Sequence, residues 1–157
     1  TVHAARPRAA TNASRQDRSR TLIHLDTNAA IAALNGRPLR VRACFDEMRG
    51  AGAALAMSVV AYYELMYGAA ASERREENEE KLALFLASGG IALLSFEEED
   101  AREAASIRAH LKRSGTPIGP YDVLIAAQAR RRGATLVTAN AREFERVPGL
   151  MVTGWAA

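Results

Sequence analysis

The chain has 157 residues, of which 48% are hydrophobic, enough to form one domain with a buried core. No apolar run is long enough to cross a membrane, and we expect no secretory signal because the start lacks an apolar segment. A single cysteine, Cys44, excludes an internal disulfide and a thiolate metal site, so a cytoplasmic protein is expected.

The net charge of +3 is concentrated at the start of the chain. Residues 1–20 hold five arginines and one aspartate, so residues 21–157 carry about −1 once that +4 is subtracted from the total. The first 20 residues also lack apolar periodicity. We interpret them as a disordered extension, an over-long gene start or a cloning remnant, and residues 21–157 as the domain. Net charge alone therefore does not indicate nucleic-acid binding.

The first part of the domain alternates strands with helices. TLIHLD predicts a buried strand, and the residues that follow Leu25 can cap a helix ending near Asn35. AGAALAMSVV predicts a second strand, after which Ser58 can cap another helix. In chain order, the predicted elements are a strand over 21–26, helices over 27–35 and 41–49, a strand over 51–60, helices over 59–68 and 72–87, and a strand over 91–96.

The second part continues the alternation. A long amphipathic helix is predicted over 97–112, followed by the breaker-rich loop SGTPIGP and a helix that starts near Tyr121 and ends before Gly133. ATLVT then predicts a strand, AREFERV a short helix and LMVTG an edge strand. Strands that alternate with helices predict an α/β fold, in which helices cover both faces of a parallel sheet. Ligands bind beyond the carboxyl ends of such strands.

Four carboxylates lie beside apolar runs with no basic residue close to them in sequence: Asp26, Glu64, Asp122 and Glu143. Isolated carboxylates in apolar surroundings are unfavourable unless a positive charge joins them. The natural partner of several carboxylates is a hard divalent cation. A metal site that hydrolyses a phosphate ester is therefore the leading prediction.

Each of these residues also has a simpler interpretation. Asp26 and Asp122 stand at helix starts, where aspartate is a common cap. Glu143 could be exposed to solvent, whereas Glu64 lies among apolar residues, where a surface glutamate is unusual. The acidic run over 97–100 fits capping and helix-dipole complementarity, so we leave it out of the site. The arginines of 130–132 fit solvated charge at a helix end at least as well as a nucleic-acid contact.

Taken together, these segments resemble the PIN-domain ribonucleases, and among them the VapC toxins of bacterial toxin–antitoxin pairs. The resemblance rests on LDTN at 25–28, SVVAYYELMYG at 58–68, the block from Ile107 to Leu150, and Trp155. It implies a Rossmann-like α/β/α sandwich whose central sheet has four to five mainly parallel strands, with an acidic site for Mg²⁺ or Mn²⁺. By position, it implies that Asp26, Glu64 and Asp122 are the principal metal-site carboxylates. Glu143 would be the fourth acidic residue, and Thr138, Asn140 and Asn28 would be supporting polar residues. His24 stands where an aliphatic residue is usual.

The resemblance also implies a function and partners. The protein would be an endoribonuclease that inhibits translation, cutting RNA by metal-activated water, with a tRNA anticodon stem-loop as the expected substrate and initiator tRNA as the first candidate. It would form a homodimer and be neutralised by a VapB-like antitoxin, whose other domain binds DNA, so that DNA contact is indirect. Four arginines are candidates for holding the RNA backbone: Arg37, Arg40, Arg42 and Arg113.

Three other classes of protein are alternatives. Phosphatases with an aspartyl nucleophile usually carry a second aspartate two residues after the first, and here that position is Asn28. A receiver-type signalling domain would need a lysine after the late strand ATLVT, and none follows. The remaining alternative is a PIN-like module that binds RNA or protein without cutting. Four filled acidic positions argue against that alternative.

Overall fold

The computed structural model describes residues 20–154 and contains five strands and seven helices in that part of the chain. The strands are Leu22–Leu25 (β1), Ala54–Ser58 (β2), Ala92–Leu94 (β3), Thr135–Val137 (β4) and Met151–Thr153 (β5). The helices are Thr27–Asn35 (α1), Leu39–Gly50 (α2), Val59–Ala70 (α3), Arg75–Gly89 (α4), Glu98–Arg113 (α5), Pro120–Arg131 (α6) and Ala141–Phe144 (α7). The predicted extension over 1–20 lies outside the described residues except for Arg20, and so does Trp155.

The five strands form one sheet in the order β3-β2-β1-β4-β5, and every neighbouring pair is parallel. The predicted α/β/α fold with four to five strands is therefore confirmed. The central strand β1 pairs with β2 on one side and with β4 on the other. The chain order of the strands reverses between β1 and β4, and in open parallel sheets the crevice at such a reversal is where ligands bind.

The core lies between this sheet and the helices. Leu25, Met57 and Leu136 from the three central strands are fully enclosed. On the helical side, the rings of Phe45 in α2 and Phe85 in α4 stack with their centroids 5.6 Å apart. This shared core fixes the carboxyl edge of the sheet, where the predicted site residues lie. None of the helices in the described part is both long and apolar enough to span a bilayer.

Two element boundaries differ from the sequence prediction. The second strand ends at Ser58, two residues earlier than predicted, because the Ser58 hydroxyl accepts a hydrogen bond from the Val60 amide at 3.0 Å and starts α3 as the expected cap. The charged helix α4 begins at Arg75 rather than at Ser72. The Ser72 hydroxyl donates to the Ala69 carbonyl and accepts from Asn78, which closes a turn in front of the helix.

An ion pair between buried Asp100 and exposed Arg131 joins α5 to α6, and sequence reasoning did not foresee it. The predicted capping by the acidic run is confirmed, since Glu97 and Asp100 form a reciprocal capping box. The Asp100 side chain is also fully buried and accepts hydrogen bonds from Arg131 at 2.6 Å and from Gln128 at 3.3 Å. Burial alone would raise the pKa of Asp100, but these donors and the Glu97 amide outweigh it and lower the pKa. Arg131 is exposed in the last turn of α6, as its interpretation as solvated charge predicts, but it also pairs with buried Asp100.

His24 is a buried titratable group in the middle of β1, with 3% of its surface exposed. Burial, followed by the nearby charge of Arg132, lowers its pKa from 6.5 to about 4. The folded protein therefore holds His24 neutral at a pH where the unfolded chain binds a proton. Stability contributed by the neutral form is complete above pH 6.5 and is lost as pH falls towards 4.

We expect His24→Leu to flatten the pH dependence of unfolding in that window. Between pH 7.5 and 4.5 the wild type should lose about 2 to 3 kcal/mol more stability than the variant, from a pKa difference worth about 1.4 kcal/mol per unit. Urea unfolding at the two pH values measures the difference. His110→Gln, at an exposed position on α5, is the control. The same loss in wild type and His24→Leu would contradict the assignment.

Candidate active site

Asp26 lies directly after β1 and is held on both of its carboxylate oxygens. Its backbone amide donates to the Val137 carbonyl at 2.9 Å, which extends the β1–β4 pairing by one residue. One carboxylate oxygen accepts from the Thr27 amide at 2.7 Å, and the other accepts from the Thr138 hydroxyl at 2.8 Å. The side chain is 4% exposed. Asp26 is therefore both the cap of α1 and a buried carboxylate at the point where the strand order reverses.

Glu64 reaches the same edge of the sheet from α3. Its Oε1 atom accepts a hydrogen bond from the Thr27 hydroxyl at 2.9 Å, so Thr27 contacts both Asp26 and Glu64. Sequence reasoning gave Thr27 only a capping role and missed this second contact. The signal in the sequence was a hydroxyl residue next to the first predicted ligand, but its partner 37 positions away is set by tertiary packing.

Asp122 lies in the first turn of α6, where Pro120 occupies the first helical position. Its carboxylate accepts no hydrogen bond and forms no ion pair within residues 20–154. Gly119, which caps the helix, is close to it: a Cβ atom at that position would lie 2.9 Å from Oδ2 of Asp122. A side chain at position 119 would therefore displace the Asp122 carboxylate.

Glu143 connects two loops at the edge of the site. Its Oε1 atom accepts from the Gly119 amide at 3.2 Å, and its Oε2 atom accepts from the Asn140 side-chain amide. The Asn140 backbone amide in turn donates to the Thr138 hydroxyl at 3.0 Å. A continuous set of hydrogen bonds thus runs from Asp26 through Thr138 to Glu143. Glu143 could have been simply exposed to solvent, but these contacts show that it is tied to two loops.

The four carboxylates share one electrostatic environment. Burial and the neighbouring charges of Asp26, Glu143 and Glu64 raise the pKa of Asp122 to about 6. Burial also raises the pKa of Asp26, against hydrogen bonds from Thr138 and Thr27 that lower it, while Glu64 and Glu143 raise it further. Across residues 20–154 no lysine, arginine or histidine forms an ion pair with any of the four. The structure therefore brings all four predicted carboxylates together and leaves their charge uncompensated.

The four carboxylates are arranged to suit a hard cation that contacts the protein partly through water molecules. Oxygen ligands alone line the site, as Mg²⁺ prefers. In the described part of the chain, however, no three acidic, histidine or cysteine side chains converge closely enough to enclose an ion. Mg²⁺ usually keeps several waters and takes only one or two carboxylates, together with substrate phosphates. The unpaired Asp122 and its neighbour Asp26 fit that mode, and a closed protein cage does not form.

The remaining candidates lie at the surface. Arg37, Arg40 and Arg113 are exposed, and Arg42 is partly engaged, with an ion pair to Asp46 at 3.5 Å. Asn28 is exposed on α1. In this structure neither Asn28 nor the four arginines contact the four carboxylates, so their roles remain predictions.

We expect Thr138→Val to weaken the site without disturbing the shape of the core. The change removes the hydroxyl that donates to buried Asp26, and a hydrogen bond to a charged group contributes about 1.5 to 3 kcal/mol. The free energy of unfolding should fall by about that amount, and Mn²⁺ affinity should fall with it. Urea unfolding and calorimetry measure the two effects. Thr135→Val in β4 is the matched control, and equal losses in both variants would contradict the role of Thr138.

Comparison with known proteins identifies the family pattern. The PIN domain matches residues 23–150. The tRNA(fMet)-specific endonuclease VapC of Shigella flexneri is 39% identical over 132 residues, covering 84% of this chain and 96% of that protein. Its counterpart of the same name in Salmonella typhimurium is 37% identical over 131 residues, covering 83% and 96%.

Solved structures agree with the sequence relatives. The chain superimposes with a TM-score of 0.79 on VapBC2 from Rickettsia felis, which was solved with a DNA fragment from its promoter. The two sequences are 32% identical, and the match covers 86% of this chain and 99% of that one. DNA-bound VapBC from Salmonella typhimurium gives a TM-score of 0.77 at 36% identity, covering 86% and 98%.

Proposed function

The chain belongs to the PIN domain family, and on that basis we propose that it is a metal-dependent endoribonuclease toxin of the VapC type. The observation that carries the proposal is the group of four carboxylates at the strand-order reversal. They have no cationic partner among the described residues, and the pKa of one of them is raised to about 6. Sequence relatives with ribonuclease and endonuclease names support the RNA substrate.

In this proposal the four residues have different tasks. Asp26 and Asp122 would hold Mg²⁺ or Mn²⁺, the first rigidly through its hydrogen bonds and the second with both oxygens free. Glu64, oriented by Thr27, would bind directly or through water. Glu143 would hold the Gly119 turn in place and orient a water molecule. The bound ion would lower the pKa of a coordinated water and balance charge on the scissile phosphate. Hydrolysis of the P–O3′ bond would leave a 3′-hydroxyl and a 5′-phosphate.

The partners follow from the same relatives. We propose a VapB-like antitoxin that covers the acidic site, a homodimer as the working form, and DNA contact only through the antitoxin. Solved VapBC complexes bound to DNA support the association with an antitoxin and the link to DNA. A tRNA anticodon stem-loop is the proposed substrate, with initiator tRNA first, supported by the name of the Shigella flexneri relative.

The test is incubation of antitoxin-free protein with total bacterial tRNA and Mg²⁺, with and without EDTA, followed by sequencing of the new 5′ ends. Discrete cuts in one anticodon loop that disappear with EDTA are expected. Cuts that persist in EDTA would contradict metal dependence. Mg²⁺ binding by calorimetry without any cleavage would contradict the proposed substrate, and absence of both would favour a non-catalytic binding module.

A further inference from the structure

Two tyrosines at the rim of the acidic site are used neither by the core nor by the proposed chemistry. Tyr63 in α3 is 53% exposed and Tyr121 in α6 is 46% exposed. Their ring centroids lie 5.8 Å apart, with the ring planes tilted by 59°. Each precedes a site carboxylate in the chain, Glu64 in one case and Asp122 in the other. The two helices that carry the carboxylates therefore also present an aromatic pair to solvent.

The contacts of this pair leave ring surface available. The nearby Tyr121, towards which the Tyr63 hydroxyl acts as donor, raises the pKa of Tyr63, and burial and the charge of Glu64 raise it further. The rings contact each other, while about half of the surface of each residue faces water. A paired, partly fixed aromatic surface next to a polar site is typical of a binding surface, because amphipathic rings offer contact area with little loss of conformational freedom.

The negative charge of the four carboxylates beside the two tyrosines indicates which ligands can bind there. The four carboxylates repel a phosphate that arrives without a cation, but they do not repel a neutral ring. A nucleobase is a neutral planar group attached to a phosphodiester, so it can contact the rings while its phosphate lies at the carboxylates. Stacking of a base on an aromatic side chain is worth about 1 to 3 kcal/mol and is tolerant of sequence.

We propose that Tyr63 and Tyr121 form a stacking platform for an unpaired nucleobase next to the scissile phosphate. This inference rests on the proposed nuclease function and adds a substrate requirement to it. Bases within a duplex are already stacked on their neighbours, so a base must be splayed out to reach the rings. The platform therefore selects single strands, loops or bulges over paired RNA, whatever the sequence.

Tyr67, one turn from Tyr63 on α3, distinguishes base stacking from the docking of a protein along the helix. Val59, Tyr63 and Tyr67 lie one turn apart along α3 and are all exposed, Tyr67 at 66%. A second copy of the chain or an antitoxin helix that packed along α3 would contact Tyr67 as well as Tyr63. A base stacked on the pair would contact Tyr63 and Tyr121, whereas Tyr67 lies one turn beyond Tyr63 and forms no ring contact with Tyr121 in the described part of the chain.

The experiment measures RNA binding in Ca²⁺, a hard cation with oxygen ligands that can join the carboxylates to a phosphate, and a gel checks that the RNA stays intact. The probe is an RNA hairpin with 2-aminopurine at one loop position, and a fully paired duplex with the same label is compared. Wild type should quench the loop fluorescence and not the duplex fluorescence. Tyr63→Ala and Tyr121→Ala should each weaken the hairpin Kd by about 5- to 150-fold, the range that about 1 to 3 kcal/mol of stacking gives. Tyr63→Phe and Tyr121→Phe keep the ring and should restore the quenching.

Tyr67→Ala is the matched control and should change the hairpin Kd by less than twofold. Equal losses for Tyr67→Ala and Tyr63→Ala, with a shift to a smaller species in sedimentation, would overturn the platform in favour of self-association. Unchanged RNA binding with lost antitoxin binding in Tyr63→Ala would overturn it in favour of a protein contact. Folding of every variant is checked by urea unfolding, and the phenylalanine variants keep the test valid if an alanine variant unfolds.

Different results would contradict the proposed nuclease function and the proposed stacking platform. If wild type cuts tRNA but the alanine variants bind and cut as well as it does, the platform is wrong and the nuclease stands. If wild type quenches the labelled loop but cuts no RNA in Mg²⁺, the platform stands and the nuclease is wrong. If wild type neither quenches the loop nor binds the hairpin, the platform is overturned.

Discussion

Asp122→Asn is expected to abolish RNA cleavage while making the metal-free protein more stable. The activity loss follows from the removal of the one site carboxylate that has no hydrogen-bond donor and is free to meet a cation. Metal ions contribute several kcal/mol of transition-state stabilisation, so loss of a ligand should lower the cleavage rate by about a thousandfold or more.

The stability gain follows from the raised pKa of Asp122, about 6 against 3.8. At pH 7.5 both the folded and the unfolded chain carry the charge, but in the folded protein it lies near Asp26, Glu143 and Glu64. Asparagine removes that repulsion. Because the group is only half-buried and solvent screens it, the gain should be on the order of 1 kcal/mol. The gain should disappear as pH falls from 6 towards 4, where the wild-type carboxyl takes up a proton on folding.

The measurement pairs tRNA cleavage in Mg²⁺ with urea unfolding in EDTA at pH 7.5 and pH 4.5. Glu77→Gln removes an exposed carboxylate that pairs with Arg74 at 3.9 Å and serves as the control. It should keep its cleavage activity and show no gain in stability. An Asp122→Asn protein that still cuts RNA at the wild-type rate would refute the site, whatever its stability.

Arg131→Met is expected to destabilise the fold, with no direct effect on the site. The change leaves the buried Asp100 carboxylate without the exposed arginine that pairs with it, and a buried charge without its partner is unfavourable. Asp100 keeps the Glu97 amide and Gln128 as donors, so the protein should still fold. Urea unfolding at pH 7 measures the loss.

Two variants test the cause of that loss. Arg130→Met breaks a neighbouring ion pair whose carboxylate, Glu103, is more accessible to water than Asp100, and it should destabilise the fold less than Arg131→Met does. Asp100→Asn/Arg131→Met removes both charges and should recover part of the stability lost in Arg131→Met. A double variant as unstable as the sum of its single changes would show that the two side chains do not interact.

The contrast between Asp122 and Asp100 shows what the sequence could and could not predict. Both are aspartates in the first turn of a helix, with acidic or apolar neighbours. The absence of a basic residue near Asp122 was visible in the sequence and predicted a metal ligand. The partner of Asp100 lies 31 positions away on α6, where only helix packing brings it close. The spacing of residues shows which side chains share one face of a helix. It does not show which face of a neighbouring helix packs against them.

The fold itself was largely predictable, because each strand is a short apolar run and each long helix repeats apolar residues at helical spacing. The carboxyl edge of a parallel sheet then brings Asp26 and Thr138 together from general rules. The contacts of Glu143 with Gly119, and of Thr27 with Glu64, were not predictable. They depend on the path of the loop before α6 and on the angle between α1 and α3, which no local pattern encodes.

The position of β1 at the centre of the sheet has a consequence during translation. Asp26 is made early, but Asp122 follows 96 positions later, and β4, which completes the pairing of β1, comes after that. At about 5 to 20 residues per second, the first and third carboxylates emerge roughly 5 to 20 seconds apart. No growing or truncated chain that ends before Thr135 can assemble the acidic site. A protein whose proposed activity damages translation would thus be harmless to the ribosome that makes it until its last strands emerge.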